Sequence, residues 1–386
     1  MTLMAKGGII GWKSSAISIT MKASMSFRRE VTMAHARMPV RPHDRLHFPP
    51  HLRHLSALVA VLVALFLLVF SMAAAAQAAT PEQEAKEMLS SVVRVKMKAV
   101  PGARSSANLG DTREGTGVVI DARGHILTIG YIVIEADAIE VTTHAGRTVP
   151  AALVGYDHAT GFGLLRATLP LEAKPMPLGE AASLQLREPV MILPAGGPEA
   201  VSFAYVVSKR AFAGSWEYLL DTAIFTSPPT LKWAGAALVN HDGKLVGVGS
   251  LLVRDSVEPG TPLPGNMFVP IDGLKPILDD LIAKGRRGEP ARPWLGLATE
   301  PAQGRLFVTR VSPEGPADRA GIRPGDIVIG VGADPVKTHE ELYRKMWGLG
   351  AAGVDVPLRV LQGAEVHEVK VHSIDRFEYF KERPTY

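Results

Sequence analysis

Phe225-Thr226-Ser227-Pro228-Pro229-Thr230-Leu231-Lys232-Trp233-Ala234-Gly235-Ala236-Ala237-Leu238-Val239-Asn240 ends in a short apolar run, Ala236 to Asn240. The turn Asp242-Gly243 and a second run from Lys244 to Leu252 follow, so the segment reads as a β-hairpin. In front of it Pro228 and Pro229 remove two backbone donors and mark an irregular loop. Working outward, Pro189 to Leu193, Ala204 to Ser208, Tyr218 to Thr222 and Asn266 to Val269 read as further short strands between turns, the signature of a β-barrel or sandwich. The glycines of Val246-Gly247-Val248-Gly249 are not a phosphate loop, because no helix opens after them.

The N-terminal half repeats the pattern. Val92 to Met97 alternates as a strand, Gly115 to Ile120 and His125 to Thr128 form a hairpin across Asp121-Ala122-Arg123-Gly124, and Ile139 to Thr142 and Val149 to Tyr156 follow. Pro101 to Arg113 carries no periodic signal and reads as a loop. Ile271 to Lys284 places Leu274, Ile277, Leu278, Leu281 and Ile282 on one helical face, with Gly285 as the stop.

With its flanks, the opening stretch resembles the nucleophile segment of trypsin-like proteases of the HtrA (DegP-like) family, where the pattern is T-D-x-x-I-N-x-G-N-S-G-G-P-L-V-N. Thr226 is kept on the left, and Leu238, Val239 and Asn240 on the right. Anchored on the right, the serine's place falls at Ala234; anchored on the left, where this chain is one residue shorter, it falls at Gly235. Neither can attack a carbonyl. Ile126-Leu127-Thr128-Ile129-Gly130-Tyr131-Ile132-Val133 resembles the family's I-L-T-N-x-H-V and puts Tyr131 where the general-base histidine belongs. A phenol keeps its proton near neutral pH and is a poor base. Asp157 to Leu165 resembles D-x-x-T-D-L-A-L-L, with Gly161 at the place of the orienting aspartate.

The resemblance implies a mainly β protein: a trypsin-like double β-barrel over residues 79–285, a linker over 286–293, an α+β PDZ domain over 294–375, and a tail over 376–386. It implies a degenerate catalytic triad at Tyr131, Gly161 and Ala234. Lys232-Trp233 stand where a Gly-Asn pair shapes the family's oxyanion hole, and neither tolerates unusual backbone angles as glycine does. Trp233 either fills the emptied cleft or presents an anchor to a partner. A relocated catalytic set would have to pair Ser227 with His125, His144, His158 or His241, and no spacing enforces such a pair.

In the C-terminal part, Leu306 to Val311, Ile327 to Val331, Val356 to Leu361 and Val366 to Val371 read as strands. Gly315 to Gly321 reads as a short helix with Pro316 near its start, and Thr338 caps a helix with Glu341 three residues on. Trp294, Leu295, Gly296 and Leu297 resemble the PDZ loop whose N–H groups take a peptide's terminal carboxylate while the peptide adds a strand to the sheet edge. Leu342 and Met346, four apart on one helix face, either line the peptide's side-chain pocket or are plain core. The aromatic tail from Arg376 to Tyr386 either docks on the barrel or a neighbour or frays.

From Leu55 through Met72 the chain is almost unbrokenly apolar, with Arg and His before it and Ala76-Gln77-Ala78 after it. This predicts a signal peptide cleaved after Ala78, or else an uncleaved inner-membrane anchor. Residues 1–78 carry nine Lys/Arg against two acids, so a chain of net charge +4 leaves a remainder at −3, which gives a nucleic-acid partner no support. The absence of cysteine excludes disulfides, thiolate metal sites and a thiol nucleophile. Neither metal nor cofactor is expected.

The function implied is that of an exported, periplasmic HtrA-like pseudoprotease that binds unfolded or C-terminal peptide segments in envelope protein quality control, or modulates an active HtrA-type protease. The alternative is a serine endopeptidase with a rearranged or residual active site. The family's trimers form through N-terminal aromatics, and Thr80 to Val100 contains none, so homo-oligomerisation stays open.

Overall fold

The computed structural model describes residues 81–380. The signal-peptide segment and the last six residues lie outside the described residues. A helix α1 (Pro81–Ser90) leads into β1 (Val92–Ala99), β2 (Thr112–Val119), β3 (His125–Ile129), β4 (Ala136–Thr142), β5 (Thr148–Tyr156) and β6 (Phe162–Ala167), which close as a barrel in the order β1-β2-β3-β6-β5-β4. The strands β7 (Pro189–Leu193), β8 (Ser202–Gly214), β9 (Tyr218–Ser227), β10 (Ala237–Val239), β11 (Leu245–Val253) and β12 (Gly265–Pro270) close a second barrel, β10-β11-β12-β9-β8-β7. Alternation decides which side chains fill them: in β1, Val93, Val95 and Met97 are buried while Arg94, Lys96 and Lys98 are exposed. Val95, Leu127, Phe162, Phe225 and Val248 meet in one apolar cluster that spans both barrels.

The helix expected from Ile271 is interrupted. A 3-10 turn covers Ile271–Gly273 and α2 runs only from Leu278–Lys284. Pro276 lacks an N–H and biases Lys275 away from helical angles, so the α-helix forms after it. The stretch expected as a loop before Arg113 holds a helical turn, Ser106–Leu109, and β2 already begins at Thr112.

The C-terminal sheet consists of β13 (Leu297–Ala302), β14 (Arg305–Val311), β15 (Ile327–Val331), β16 (Asp334–Pro335), β17 (Asp355–Gln362) and β18 (Glu365–His372), in the order β13-β14-β15-β17-β18 with β16 beside β15. Against it packs α3 (His339–Trp347), whose N-cap Thr338 accepts from the N–H of Glu341. The connection from α2 to the sheet is tied down: Arg287 grips Asp157, the N–H of Gly288 donates to Asp280, and the Arg292 guanidinium lies 4.4 Å from the centre of the Trp347 ring.

After β18 a short helix α4 (Arg376–Tyr379) docks back. Tyr379 is buried, its hydroxyl donates to the Pro313 carbonyl, and its ring centre is 4.6 Å from that of Trp294. Phe377 stacks on Tyr156 of the first barrel, also at 4.6 Å. The aromatic composition of the tail is therefore used in packing.

Candidate functional site

At the two places where the resemblance sets the family's serine, the backbone is tightly held. Gly235 has φ 74, and a Cβ there would collide with the Thr116 carbonyl oxygen and crowd the Thr128 hydroxyl. No side chain fits at Gly235, so of the two candidate places only Ala234 could carry one. The Ala234 carbonyl accepts from the Thr116 N–H at 2.8 Å, and the Gly235 N–H donates to the Gly249 carbonyl at 2.9 Å. The Lys232 N–H, which an oxyanion hole would need turned inward, is directed to the Thr230 hydroxyl at 3.3 Å.

Tyr131 lies in the helical turn Gly130–Val133 that follows β3. Its hydroxyl donates to the Ser250 carbonyl of β11 at 2.9 Å and is also hydrogen-bonded by the Trp233 side chain. Burial pushes its pKa well above that of a free phenol, so the hydroxyl acts as a donor and cannot take a proton. Trp233 is half-buried beside it. Gly161 has φ 83, and a Cβ there would lie 3.2 Å from the Tyr218 hydroxyl, which donates to the Thr160 carbonyl at 2.6 Å. Tyr218 thus occupies the space beside Gly161.

The histidines considered for a relocated set are engaged elsewhere. His125 Nδ1 is 2.6 Å from Asp121, His241 faces Glu188 and Asp242, and His158 packs between Tyr156 and Phe377. His144 lies near Gly197. The Ser227 hydroxyl donates to the Pro264 carbonyl at 2.8 Å. Among the described residues no group of three or more His, Asp or Glu side chains could hold a metal ion.

The second set of predicted residues lies together at the junction of barrel and sheet. Trp294 pairs with Ile374 as an isolated bridge, and Leu295 and Gly296 turn the chain into β13, Gly296 having φ 82. Three consecutive N–H groups converge there on one carboxylate. Leu295 N–H donates to Glu217 Oε2 at 2.9 Å, and Gly296 and Leu297 N–H donate to Glu217 Oε1 at 2.7 Å each. Glu217 sits in the hairpin between β8 and β9, is buried, and holds a left-handed φ of 58. Burial raises its carboxyl to about 7, against the pull of these N–H donors and of the Arg376 guanidinium.

Leu342 and Met346 are buried in the sheet's apolar core, a cluster that also takes in Leu219 from β9. Between them on α3, Tyr343 accepts from the Glu217 N–H at 3.0 Å and donates to the Gly214 carbonyl at 2.7 Å. Sequence reasoning passed over both Glu217 and Tyr343. Glu217 is a lone acid between two aromatics at a hairpin tip, with no spacing motif to single it out, and Tyr343 lies one residue away from the apolar pair that was.

A trypsin-like peptidase domain model matches residues 115–248, and a PDZ domain model matches residues 293–372. The probable periplasmic serine endoprotease DegP-like of Halomonas elongata is 27% identical over 276 residues, covering 67% of this chain and 55% of that protein. The serine endoprotease DegS of Escherichia coli K12 is 30% identical over 237 residues, covering 57% of this chain and 65% of that one. The chain spans between about half and two thirds of the length of these curated relatives. Among solved structures, HtrA-type protease AlgW with decapeptide covers 79% of this chain and 100% of that chain at 18% identity, with a TM-score of 0.48.

Proposed function

We propose, from the premise that this chain is a trypsin-like peptidase domain followed by a PDZ domain with HtrA and DegP serine proteases as its homologues, that it is a non-catalytic member of that group. It binds polypeptide segments, unfolded or at their C-termini, in envelope protein quality control, or modulates an active HtrA-type protease. The apolar run from Leu55 through Met72, followed by Ala76-Gln77-Ala78, and the description of two relatives as periplasmic support that location.

The observation that carries the reading is Ala234. Of the two places at which the family motif sets the serine, it is the one where a side chain fits, since a Cβ at Gly235 would meet the Thr116 carbonyl oxygen. Losing a triad costs on the order of 10⁶ in turnover, and what remains comes from the oxyanion hole and from substrate binding. With Lys232 N–H turned onto Thr230, that remainder is impaired as well.

The binding role is supported by the loop at residues 295–297, which holds a carboxylate by three backbone N–H groups. The test is to incubate the chain from residue 79 onward with reduced casein or lactalbumin, following fragments on a gel together with aggregation by light scattering. Intact substrate with suppressed aggregation is expected. Fragments that persist through further purification and vanish with a serine-directed inhibitor would overturn the non-catalytic reading.

A further inference from the structure

We infer that the PDZ groove of this chain holds an internal ligand: the tip of the β8–β9 hairpin, with the Glu217 side-chain carboxylate seated where a peptide's terminal carboxylate would go. The inference rests on reading residues 294–297 as a carboxylate-binding loop. Peptide capture of this kind needs three things, an anion held by the loop's N–H groups, a strand laid along the sheet edge, and an apolar side chain in the pocket beside the helix. The hairpin supplies each of them.

The anion is Glu217, held by the N–H groups of Leu295, Gly296 and Leu297 at 2.7 to 2.9 Å. Successive N–H groups turned onto one point form a nest for an anion. An acid at the tip of a hairpin would ordinarily face water; Glu217 instead gives up solvent and accepts a left-handed backbone to reach the nest. The strand contact is the Thr299 N–H, which donates to the Ser215 carbonyl on the open side of β13, the terminal strand of its sheet. The apolar contact is Leu219, which joins Leu342 and Met346 in one buried cluster.

Three further bonds fasten the hairpin to α3. Tyr343 bridges the Gly214 carbonyl and the Glu217 N–H, and Arg344 pairs with Asp221 on β9. While the hairpin is docked, a free C-terminus has neither donors nor edge to bind. The ligand that opens the groove is a peptide with a free terminal carboxylate and an apolar side chain near its end, and it binds by displacing Glu217.

The test uses the chain from residue 79 onward, as wild type, Glu217→Ala, and the milder Tyr343→Phe in case the alanine variant does not fold. Amide hydrogen exchange is followed at Leu295, Gly296 and Leu297. In parallel, a fluorescein-labelled decapeptide library randomised at its last four positions is titrated, once with free C-termini and once amidated. Exchange at the three amides is expected to speed up at least about tenfold in the variants, and free-acid peptides to bind them at least about tenfold more tightly than they bind wild type, with the amidated library excluded. Unchanged exchange in the variants, or wild type binding free-acid peptides as tightly as they do, overturns the internal ligand. Faster exchange with no peptide bound by any variant leaves the internal ligand standing and sinks the peptide-receptor role proposed above.

Discussion

Arg287 grips Asp157 with two hydrogen bonds, Nε to one carboxylate oxygen at 2.7 Å and Nη2 to the other at 2.9 Å, across 130 residues of chain. The same carboxylate accepts from the Thr160 N–H and hydroxyl, and its side chain is 2% exposed. The pair fixes the connection between barrel and sheet to the loop that contains Gly161. Arg287→Ala leaves a buried carboxylate short of its cation and is expected to cost about 3–5 kcal/mol, read as a lower midpoint in denaturant unfolding. A midpoint unchanged from wild type would show that the linker is not held by this pair.

Placing the family's Ser, His and Asp at the three matching positions is not expected to give proteolysis. Ala234→Ser combined with Tyr131→His and Gly161→Asp places an aspartate at a left-handed backbone position, against the Tyr218 hydroxyl, and leaves Lys232 N–H on Thr230. The orienting group and one oxyanion donor are then both misplaced. Casein hydrolysis by the triple variant is expected to remain at the level of the wild-type chain. Turnover rising by several orders of magnitude would mean that the cleft relaxes into a competent shape.

The Glu217 carboxyl sets a pH dependence. In the docked hairpin its pKa is raised to about 7 by burial, against an ordinary 4.5, with Arg376 and the neutral Tyr343 phenol as its titratable neighbours. A carboxyl raised in the folded state holds its proton more readily there. Its stabilisation is therefore complete below the unfolded value and is lost as pH rises through the folded one. The thermal midpoint is expected to fall between about pH 5 and pH 8, and Glu217→Gln to flatten that slope. A slope that survives in the glutamine variant would assign it to another group.

Tyr379 is expected to matter to stability although it stands near the end of the chain. Its ring packs on Trp294, Arg104 lies 4.4 Å above the ring centre, and its hydroxyl reaches Pro313. Tyr379→Ala should cost about 3 kcal/mol in unfolding free energy. A loss within 0.5 kcal/mol, the usual range of a surface change, would mean that the tail is not docked in solution.

The fold was largely legible because its signals are local. Alternation in β1, the Asp242-Gly243 turn and the motif order around Ile126 to Tyr131 each need only a few neighbouring residues. The motif frame leaves Ala234 and Gly235 as alternative places for the family's serine, and only the folded chain separates them, because a Cβ at Gly235 would collide with the Thr116 carbonyl oxygen. What stayed hidden depends on pairs distant in sequence. Glu217 meets Leu295 to Leu297 some 80 residues later, Tyr131 meets Ser250, and Phe377 meets Tyr156. No pattern within a single segment announces such partners. The Pro, Gly and Arg content of residues 286–293 marks a linker, but that Arg287 would find the buried Asp157 and Arg292 the face of Trp347 is visible only in the folded chain.

The C-terminal sheet, unlike the two barrels, does not close on itself, and among the described residues its terminal strands β13 and β18 each pair with a single neighbouring strand. Each is a template on which another chain could polymerise. At β18 the defence is chemical: Glu365, His367, Glu368, Lys370 and His372 crowd the strand with charge and polarity. At β13 it is mechanical, since the Ser215 carbonyl covers the Thr299 N–H. The hairpin that carries Glu217 therefore also acts as a guard against self-association, and a variant that frees it should be watched for oligomers and fibres as closely as for new ligands.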